Sequence, residues 1–321
     1  MRNRFIAIAT VVSIATSQVS SQTPPISGQD SAGVMPATEP AIQPFAVQFD
    51  LPSRITGRTY RIVLHEPSSA APKDGWPVIY VLDSRTTFGT AAAQVQLRTS
   101  AGQNGALVVG VGYPDAAAAT KLRIFDMTPS APLPGPADGL GIRPGEAGGA
   151  ALFHRFMVEE LRPVIARMAP TDANDQSLIG YSLGGLFALG VLFEHPDAYR
   201  TIVAGSPSIW WNNRELLRNE ARFAAAVRAK KVSTRVLITS NMWEQFPPDS
   251  DLPRDPEKRA AALKRASDSA MVDNAKNLAG RLATLQGAPG YRVRYVLFPE
   301  ESHLTGIAAS TSRGVAFTFI P

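Results

Sequence analysis

A serine within a glycine-rich turn is the residue of this chain best placed to do chemistry. Residues 180–184 read Gly-Tyr-Ser-Leu-Gly, between the apolar run 177–179 and an apolar-periodic stretch that begins at Leu186. A nucleophile elbow needs this order of strand, sharp turn and helix, because the turn holds the serine in a strained backbone conformation with its hydroxyl above a sheet. The pattern therefore predicts Ser182 as a nucleophile.

A serine hydroxyl is a weak nucleophile unless a base removes its proton, so a histidine must reach Ser182. The chain has four histidines. His303 follows the last predicted strand, and the loops at the carboxyl ends of strands are where open α/β sheets place their ligands. His303 is therefore predicted as the base. We expect His65 to be a solvated strand-end residue, His154 a packed or surface residue of a helix, and His195 part of the last turn of the elbow helix.

An acidic group should orient the imidazole and stabilise its cationic form, and it is expected between the serine and the histidine along the chain. The predicted strand 235–239 leads into Glu244, which is the first choice. Asp249 and Asp251 follow closely and remain alternatives, whereas Asp273 is expected on a helix.

An oxyanion hole is expected from two backbone N–H groups. One belongs to Leu183 at the start of the elbow helix, and the other comes from the loop after the strand that ends at Leu82, with Ser84 and Arg85 as the candidate donors. Serine–histidine chemistry supplies both the nucleophile and the proton transfer, so we expect no metal and no organic cofactor.

Alternating and continuous apolar segments predict the elements that position these residues. Segments 46–51 and 59–64 alternate and predict an antiparallel start, whereas the near-continuous apolar runs predict strands buried on both faces of a mostly parallel sheet. These runs are 77–82, 106–111, 201–205 and 235–239, joined by the elbow strand after a turn at 172–176 and by 291–298. Helices are predicted at 90–97, 151–168, after the elbow, at 214–229 and at 256–285. This alternation predicts an α/β fold with helices on both faces of the sheet.

One long segment lacks such periodicity. Residues 115–149 are rich in Ala, Pro and Gly and predict an irregular excursion that shapes a binding site, with a disordered surface loop as the alternative.

The ends and composition of the chain predict an exported protein. Residues 1–21 carry Arg2 and Arg4, then an apolar core and small residues, as in a secretory signal peptide. Residues 22–44 are rich in Pro, Ser, Gln and Thr and predict a flexible leader, which leaves 45–321 as a single domain. The chain has no cysteine, so disulfides and thiolate chemistry are excluded. We expect a periplasmic or secreted protein.

Charge and apolar content limit the partners that the chain can have. The formal charge is +5, and no long Lys or Arg run or interleaved aromatic platform is present, so no nucleic-acid partner is expected. No stretch approaches the length of a membrane span. A small-molecule ester is the expected partner, and the oligomeric state is not predicted.

Several segments together resemble a known family. Residues 76–83, 109–114, 123–129, 180–189 and the Ser-Pro-Ser-Ile-Trp-Trp segment 206–211 look like the putative-esterase family of α/β-hydrolases. Within it they are most similar to siderophore esterases that open catecholate trilactones. The resemblance covers roughly residues 46–316, and feruloyl esterases, S-formylglutathione hydrolases and mycolyltransferases belong to the same broad family.

The resemblance implies an α/β-hydrolase fold, Ser182 as nucleophile and His303 as base. It also implies a substrate pocket near Arg123, Asp126, Trp210 and Trp211, although Arg123 and Asp126 could instead pair with each other, and the tryptophans could simply pack. Some relatives are thought to use a Ser–His pair without a well-placed acid. The resulting hypothesis is a serine carboxylic-ester hydrolase; a non-catalytic exported binding module and an acyltransferase are the alternatives.

Overall fold

The structure is a computed structural model that describes residues 46–133, 141–143 and 145–320. The predicted signal peptide 1–21 and leader 22–44 lie outside the described residues. Across the part that is described, no helix is long and apolar enough to cross a lipid bilayer.

Eight strands form one sheet in the order β1-β2-β4-β3-β5-β6-β7-β8. The strand β2 pairs antiparallel with β1 and β4, and the remaining neighbours are parallel. The strands are β1 (Ala46–Pro52), β2 (Thr59–His65), β3 (Trp76–Leu82), β4 (Leu107–Gly112), β5 (Thr171–Tyr181), β6 (Thr201–Gly205), β7 (Arg235–Asn241) and β8 (Arg292–Phe298).

Helices cover both faces of this sheet. The α-helices are α1 (Ser84–Ser100), α2 (Ala116–Met127), α3 (Ala150–Arg155), α4 (Arg162–Met168), α5 (Leu183–Glu194), α6 (Trp211–Arg214), α7 (Glu220–Arg228), α8 (Pro256–Ser269), α9 (Met271–Ala283) and α10 (Gly306–Thr318). A π-helix, Phe156–Leu161, joins α3 to α4. Short 3-10 segments are Glu215–Asn219, Met242–Glu244 and Asp249–Asp251.

Alternate residues of the central strands supply two separate cores. Ile79, Val81 and Ile179 pack with side chains of α1 and α10, whereas Tyr80 and Leu178 pack in the core that includes α5 and α9. Both faces of these strands are therefore buried, which explains their near-continuous apolar sequence. The α/β-hydrolase fold is confirmed, as is the antiparallel start.

Several predicted boundaries were wrong. The irregular excursion begins with a helix, α2, whose N-cap Asp115 accepts a hydrogen bond from the backbone N–H of Ala117 at 2.7 Å. Its alanines favour a helix although they give no apolar periodicity. Residues 172–176 belong to β5 rather than to a turn, and the helix predicted for 214–229 opens with a 3-10 segment. No helix was predicted where α10 lies.

The helix predicted at 256–285 is two helices. Ala270 ends α8 in the left-handed conformation, with φ 43°, and α9 begins at the next residue. A residue in the left-handed conformation cannot continue a right-handed helix, so the chain changes direction at Ala270.

Candidate active site

The turn between β5 and α5 has the geometry that a nucleophile elbow requires. Ser182 has φ 60° and ψ −118°, a strained conformation for a residue with a side chain. A Cβ atom on Gly180 would lie 2.1 Å from the carbonyl oxygen of Gly184, so only glycine fits where the strand meets the helix. The fold therefore holds the Ser182 hydroxyl at the carboxyl ends of the parallel strands.

Three side chains form a hydrogen-bonded chain at these strand ends. Ser182 Oγ lies 3.0 Å from His303 Nε2, and His303 Nδ1 lies 2.6 Å from Glu244 Oε1. His303 comes from the loop between β8 and α10, and Glu244 ends the 3-10 turn after β7. The structure thus brings together the three residues that the sequence predicts, in the order nucleophile, base and acid.

The alternative acids do not take part in this chain of hydrogen bonds. Asp249 pairs with Arg259 at 2.6 Å on the surface, and Asp251 is exposed with a hydrogen bond from Ser250. Asp273 lies in α9, as expected, and accepts from Gln245 at 2.6 Å.

Glu244 is buried in a set of hydrogen-bond donors. Its side chain is 2% exposed, and Oε2 accepts from Ser206 Oγ at 3.0 Å and from the backbone N–H of Asn241 at 3.1 Å. Oε1 accepts from Asn241 Nδ2 at 3.0 Å as well as from His303. Burial opposes ionisation, but the hydrogen bonds from His303, Asn241 and Ser206 outweigh it and hold the pKa of Glu244 below its usual value. Glu244 therefore stays a carboxylate that can stabilise an imidazolium.

Ser206 and Asn241 were not singled out by the sequence. They are fully buried at the ends of β6 and β7, the strands that follow the elbow strand in the sheet. Their position after two buried strands was the one available signal, and it did not distinguish them from ordinary turn residues.

The predicted oxyanion donors lie near Ser182, because Leu183 is the next residue and because Ser84 and Arg85 line the same cavity as Ser182. Leu183 begins α5 and Ser84 begins α1, and a helix does not use the N–H groups of its first turn in its own hydrogen bonds. Arg123 joins the two loops, because its Nε donates to Asp83 Oδ1 at 2.7 Å and its Nη2 donates to the Tyr181 carbonyl at 3.0 Å. Arg123 therefore fixes the start of α1 against the elbow.

Two cavities meet at the Ser182–His303 pair. The arginine cavity has a volume of about 290 Å³, and its lining includes Ser84, Arg85, Tyr113 and Arg123. The tryptophan cavity has a volume of about 410 Å³, and its lining includes Trp210, Trp243, Leu252, Arg265 and Met271. Both are lined by Ser182 and His303, so a bound molecule can extend to either side of the serine.

Two predicted substrate residues do not reach these cavities. Asp126 is fully buried, paired with Arg58 and hydrogen-bonded to Tyr113 at 3.0 Å, and burial raises its pKa to about 6. Trp211 is also fully buried, with its indole N–H donating to the Ser130 carbonyl at 3.3 Å. Asp126 therefore does not pair with Arg123. Of the two tryptophans, Trp210 lines the cavity and Trp211 lies in the core.

The other histidines lie away from Ser182. His65 is 1% exposed, so the prediction of a solvated residue was wrong, because β2 is paired on both sides. His195 follows α5, as predicted, and its ring stacks on that of His154 at a centroid distance of 4.7 Å. Burial, then His195 and Arg162, lower the pKa of His154 to about 4.

The lowered pKa of His154 predicts that the protein loses stability in acid. An unfolded histidine takes up a proton near pH 6.5, whereas folded His154 stays neutral down to about pH 4. The unfolded state therefore binds more protons between these values, and the free energy of unfolding falls as the pH drops, by up to about 3 kcal/mol from this residue. We expect His154→Phe to lose less stability than the wild type between pH 7 and pH 4.5 in urea unfolding. An equal loss in both proteins would contradict this assignment.

No three His, Asp or Glu side chains cluster to hold a metal ion anywhere within 46–133, 141–143 and 145–320.

Known proteins are similar to this chain in sequence and fold. The family model described as "Putative esterase" matches residues 53–287. The ferri-bacillibactin esterase BesA of Bacillus subtilis is 33% identical over 299 residues, which cover 92% of this chain and 93% of the relative. The siderophore triacetylfusarinine C esterase of Aspergillus fumigatus is 31% identical over 275 residues, covering 80% and 86%. The crystal structure of BES protein from Bacillus cereus superimposes with a TM-score of 0.72 at 30% identity, covering 89% of this chain and 100% of that one.

Proposed function

Because the chain belongs to the putative esterase family and is a carboxylic ester hydrolase, we propose that it cleaves siderophore esters through an acyl-enzyme formed on Ser182. The observation that carries this proposal is the chain of hydrogen bonds from Ser182 Oγ through His303 to Glu244, placed between two cavities.

In the first half of the reaction, His303 Nε2 takes the proton of Ser182 as Oγ attacks the ester carbonyl carbon. The backbone N–H of Leu183, together with that of Ser84 or Arg85, stabilises the oxyanion of the tetrahedral intermediate. The intermediate collapses when the C–O bond to the alcohol breaks, and His303 returns the proton to the leaving oxygen. Ser182 is then acylated.

In the second half, His303 removes a proton from water, which attacks the acyl carbon and forms a second tetrahedral intermediate. Collapse releases the carboxylic acid, and Ser182 Oγ regains a proton from His303. In both halves Glu244 accepts from Nδ1–H, which leaves Nε2 free as the base and stabilises the imidazolium that forms. The chemistry needs no metal, and iron enters only as part of a ferric substrate.

The two cavities favour an ester that is bulky on both sides of the scissile bond. The tryptophan cavity is lined by Trp210 and Trp243, which can pack against a planar aromatic ring, and aromatic pairs contribute about 0.5–1.5 kcal/mol beyond the area that they bury. In the arginine cavity, Arg85 adds positive charge. A catecholate trilactone has aromatic, anionic groups on both sides of every ester bond, and the two relatives described above are both named as siderophore esterases.

The experiment that tests the function is hydrolysis of a catechol trilactone, iron-free and ferric, with the linear products identified by mass spectrometry. We expect ring opening and then shorter esters, abolished in Ser182→Ala. Cleavage of p-nitrophenyl butyrate without cleavage of either trilactone would contradict the substrate. Tight binding without turnover of any ester would indicate a binding module, and transfer to an added alcohol would indicate an acyltransferase.

Trp243 provides a test of the substrate side of the proposal. We expect Trp243→Ala to lower kcat/KM for the trilactone roughly tenfold through the loss of stacking, and to leave p-nitrophenyl acetate almost unaffected because acetate does not fill the cavity. Phe246→Ala is the matched control, since Phe246 is an aromatic residue of the same loop that is 55% exposed. Equal losses on both esters would contradict a substrate-binding role for Trp243.

A further inference from the structure

Tyr181, the residue before the proposed nucleophile, contacts the proposed base at two places. Its hydroxyl donates to the backbone carbonyl oxygen of His303 at 2.8 Å. Its ring lies against the imidazole, with a centroid distance of 5.2 Å and an interplanar angle of 46°. Tyr181 thus touches both the main chain and the ring of the residue that bonds Ser182.

The direction of the Tyr181 hydroxyl proton follows from its neighbours. Asn241 Nδ2 donates to the Tyr181 oxygen at 2.7 Å and also to Glu244 Oε1 at 3.0 Å. The same nitrogen also lies 2.8 Å from Ser206 Oγ, so its two protons face three acceptors; the backbone carbonyl of His303 only accepts, and the 2.8 Å contact with it therefore requires the Tyr181 hydroxyl to donate. The single phenolic proton is left for the His303 carbonyl, and the contact from Tyr181 to Glu244 is longer, at 3.4 Å.

The loop that carries His303 has few other attachments to the core. The His303 side chain is 40% exposed, and the next residue, Leu304, is 76% exposed. Within the loop the hydroxyls of Ser302 and Thr305 bond mainly to one another, and the backbone carbonyl of Glu301 accepts from the backbone N–H of Trp243 at 3.1 Å. A loop with so little buried surface opens easily unless a buried group holds it.

Two consecutive residues therefore contact the backbone and the ring of His303. Tyr181 binds its backbone carbonyl and Ser182 Oγ faces its Nε2, so the separation of nucleophile and base is fixed across one peptide bond. We propose that Tyr181 is a positioning residue, which holds the His303 loop at the distance that proton transfer from Ser182 requires. This inference rests on the proposed function.

The first test is Tyr181→Phe, which keeps the ring and removes the hydroxyl. Errors of about 1 Å in the position of a catalytic group cost on the order of 10²-fold in rate, and a loosened loop that still visits the right position should lose roughly tenfold. We expect kcat for p-nitrophenyl butyrate and the rate of fluorophosphonate labelling of Ser182 to fall by this factor, with KM within about twofold of the wild type. Tyr199→Phe is the matched control, because Tyr199 is a buried tyrosine that precedes the amino end of β6, away from the carboxyl ends of the strands where Ser182 lies.

The second test asks whether Tyr181 acts through His303 or through the elbow itself. We expect Tyr181→Phe to cause no further loss in a His303→Ala background, as a double-mutant cycle requires of a residue that works through the missing partner. The same tenfold loss in that background, or wild-type kinetics of Tyr181→Phe alone, would overturn the positioning role. Either result leaves the proposed function intact, which would instead fail if the wild-type protein were not labelled at Ser182.

Discussion

Replacing Ser182 by alanine is expected to lower kcat by about 10⁵- to 10⁶-fold while the protein keeps its fold and its affinity for substrate. The reason is that in the proposed mechanism Ser182 Oγ forms the covalent bond, and its removal also leaves His303 without a group to deprotonate. The oxyanion donors and the cavities remain, so residual catalysis above the uncatalysed rate should persist. Steady-state kinetics on p-nitrophenyl butyrate and on a catechol trilactone measure the effect, with the circular dichroism melting curve as the check on folding.

Ser208 provides the matched control for this change. Its hydroxyl lies 3.4 Å from Ser182 Oγ, so it is the serine with which the nucleophile could be confused. We expect Ser208→Ala to retain activity within about tenfold, because Ser208 lies outside the elbow and outside the hydrogen-bonded chain of Ser182, His303 and Glu244. If Ser208→Ala were inactive and Ser182→Ala active, the assignment of the nucleophile would be wrong.

Replacing Glu244 by glutamine is expected to have the second-largest effect, a fall in kcat of about 10³- to 10⁴-fold. Each oxygen of Glu244 accepts two hydrogen bonds, so an amide nitrogen is mismatched at either position. With the nitrogen facing His303, Nδ1 must accept and the proton moves to Nε2, which can then no longer accept from Ser182. With the nitrogen on the other side, it faces the donors Ser206 and Asn241 in a buried site.

The rate of acylation in Glu244→Gln, followed by stopped-flow release of p-nitrophenol, measures this effect. Asp249→Asn is a suitable control, because Asp249 is a nearby acid that pairs with Arg259 on the surface. A loss of less than about threefold in Glu244→Gln would mean that a Ser–His pair suffices in this chain.

The sequence predicted that Ser182 and His303, the proposed nucleophile and base, would meet, because local patterns encode their positions. The elbow depends on residues 180–184 and the strand and helix segments directly beside them, and His303 follows from the rule that ligands gather at the carboxyl ends of parallel strands. Glu244 was chosen by the same rule among several acids. What decides between Glu244 and Asp251 is the direction in which a short turn points each side chain, and no pattern in the sequence carries that information.

The hydrogen-bond partners around these residues could not be predicted. Asn241 bonds Tyr181 across 60 residues of chain, and Tyr181 bonds His303 across 122. Such pairs depend on the register of neighbouring strands, which only the folded sheet fixes. Asp126 shows the same limit, because its partner Arg58 is 68 residues away, in the turn between β1 and β2.

Errors in the helices had local causes. The alanines of α2 give a helix without an apolar stripe, so a search for periodicity passes over it. In the segment 256–285, α8 buries none of its side chains, whereas α9 buries six, and the polar pattern alone did not reveal the break at Ala270.

The most direct test of the central claim is to trap the acyl-enzyme. The protein is mixed with an activated ester such as p-nitrophenyl butyrate, whose good leaving group makes acylation fast, then quenched in acid within milliseconds, digested and examined by peptide mass spectrometry. The proposed mechanism predicts a butyryl group on the peptide that contains Ser182, formed with a burst of p-nitrophenol and absent in Ser182→Ala. Turnover without a covalent adduct, or an adduct on a residue other than Ser182, would contradict it.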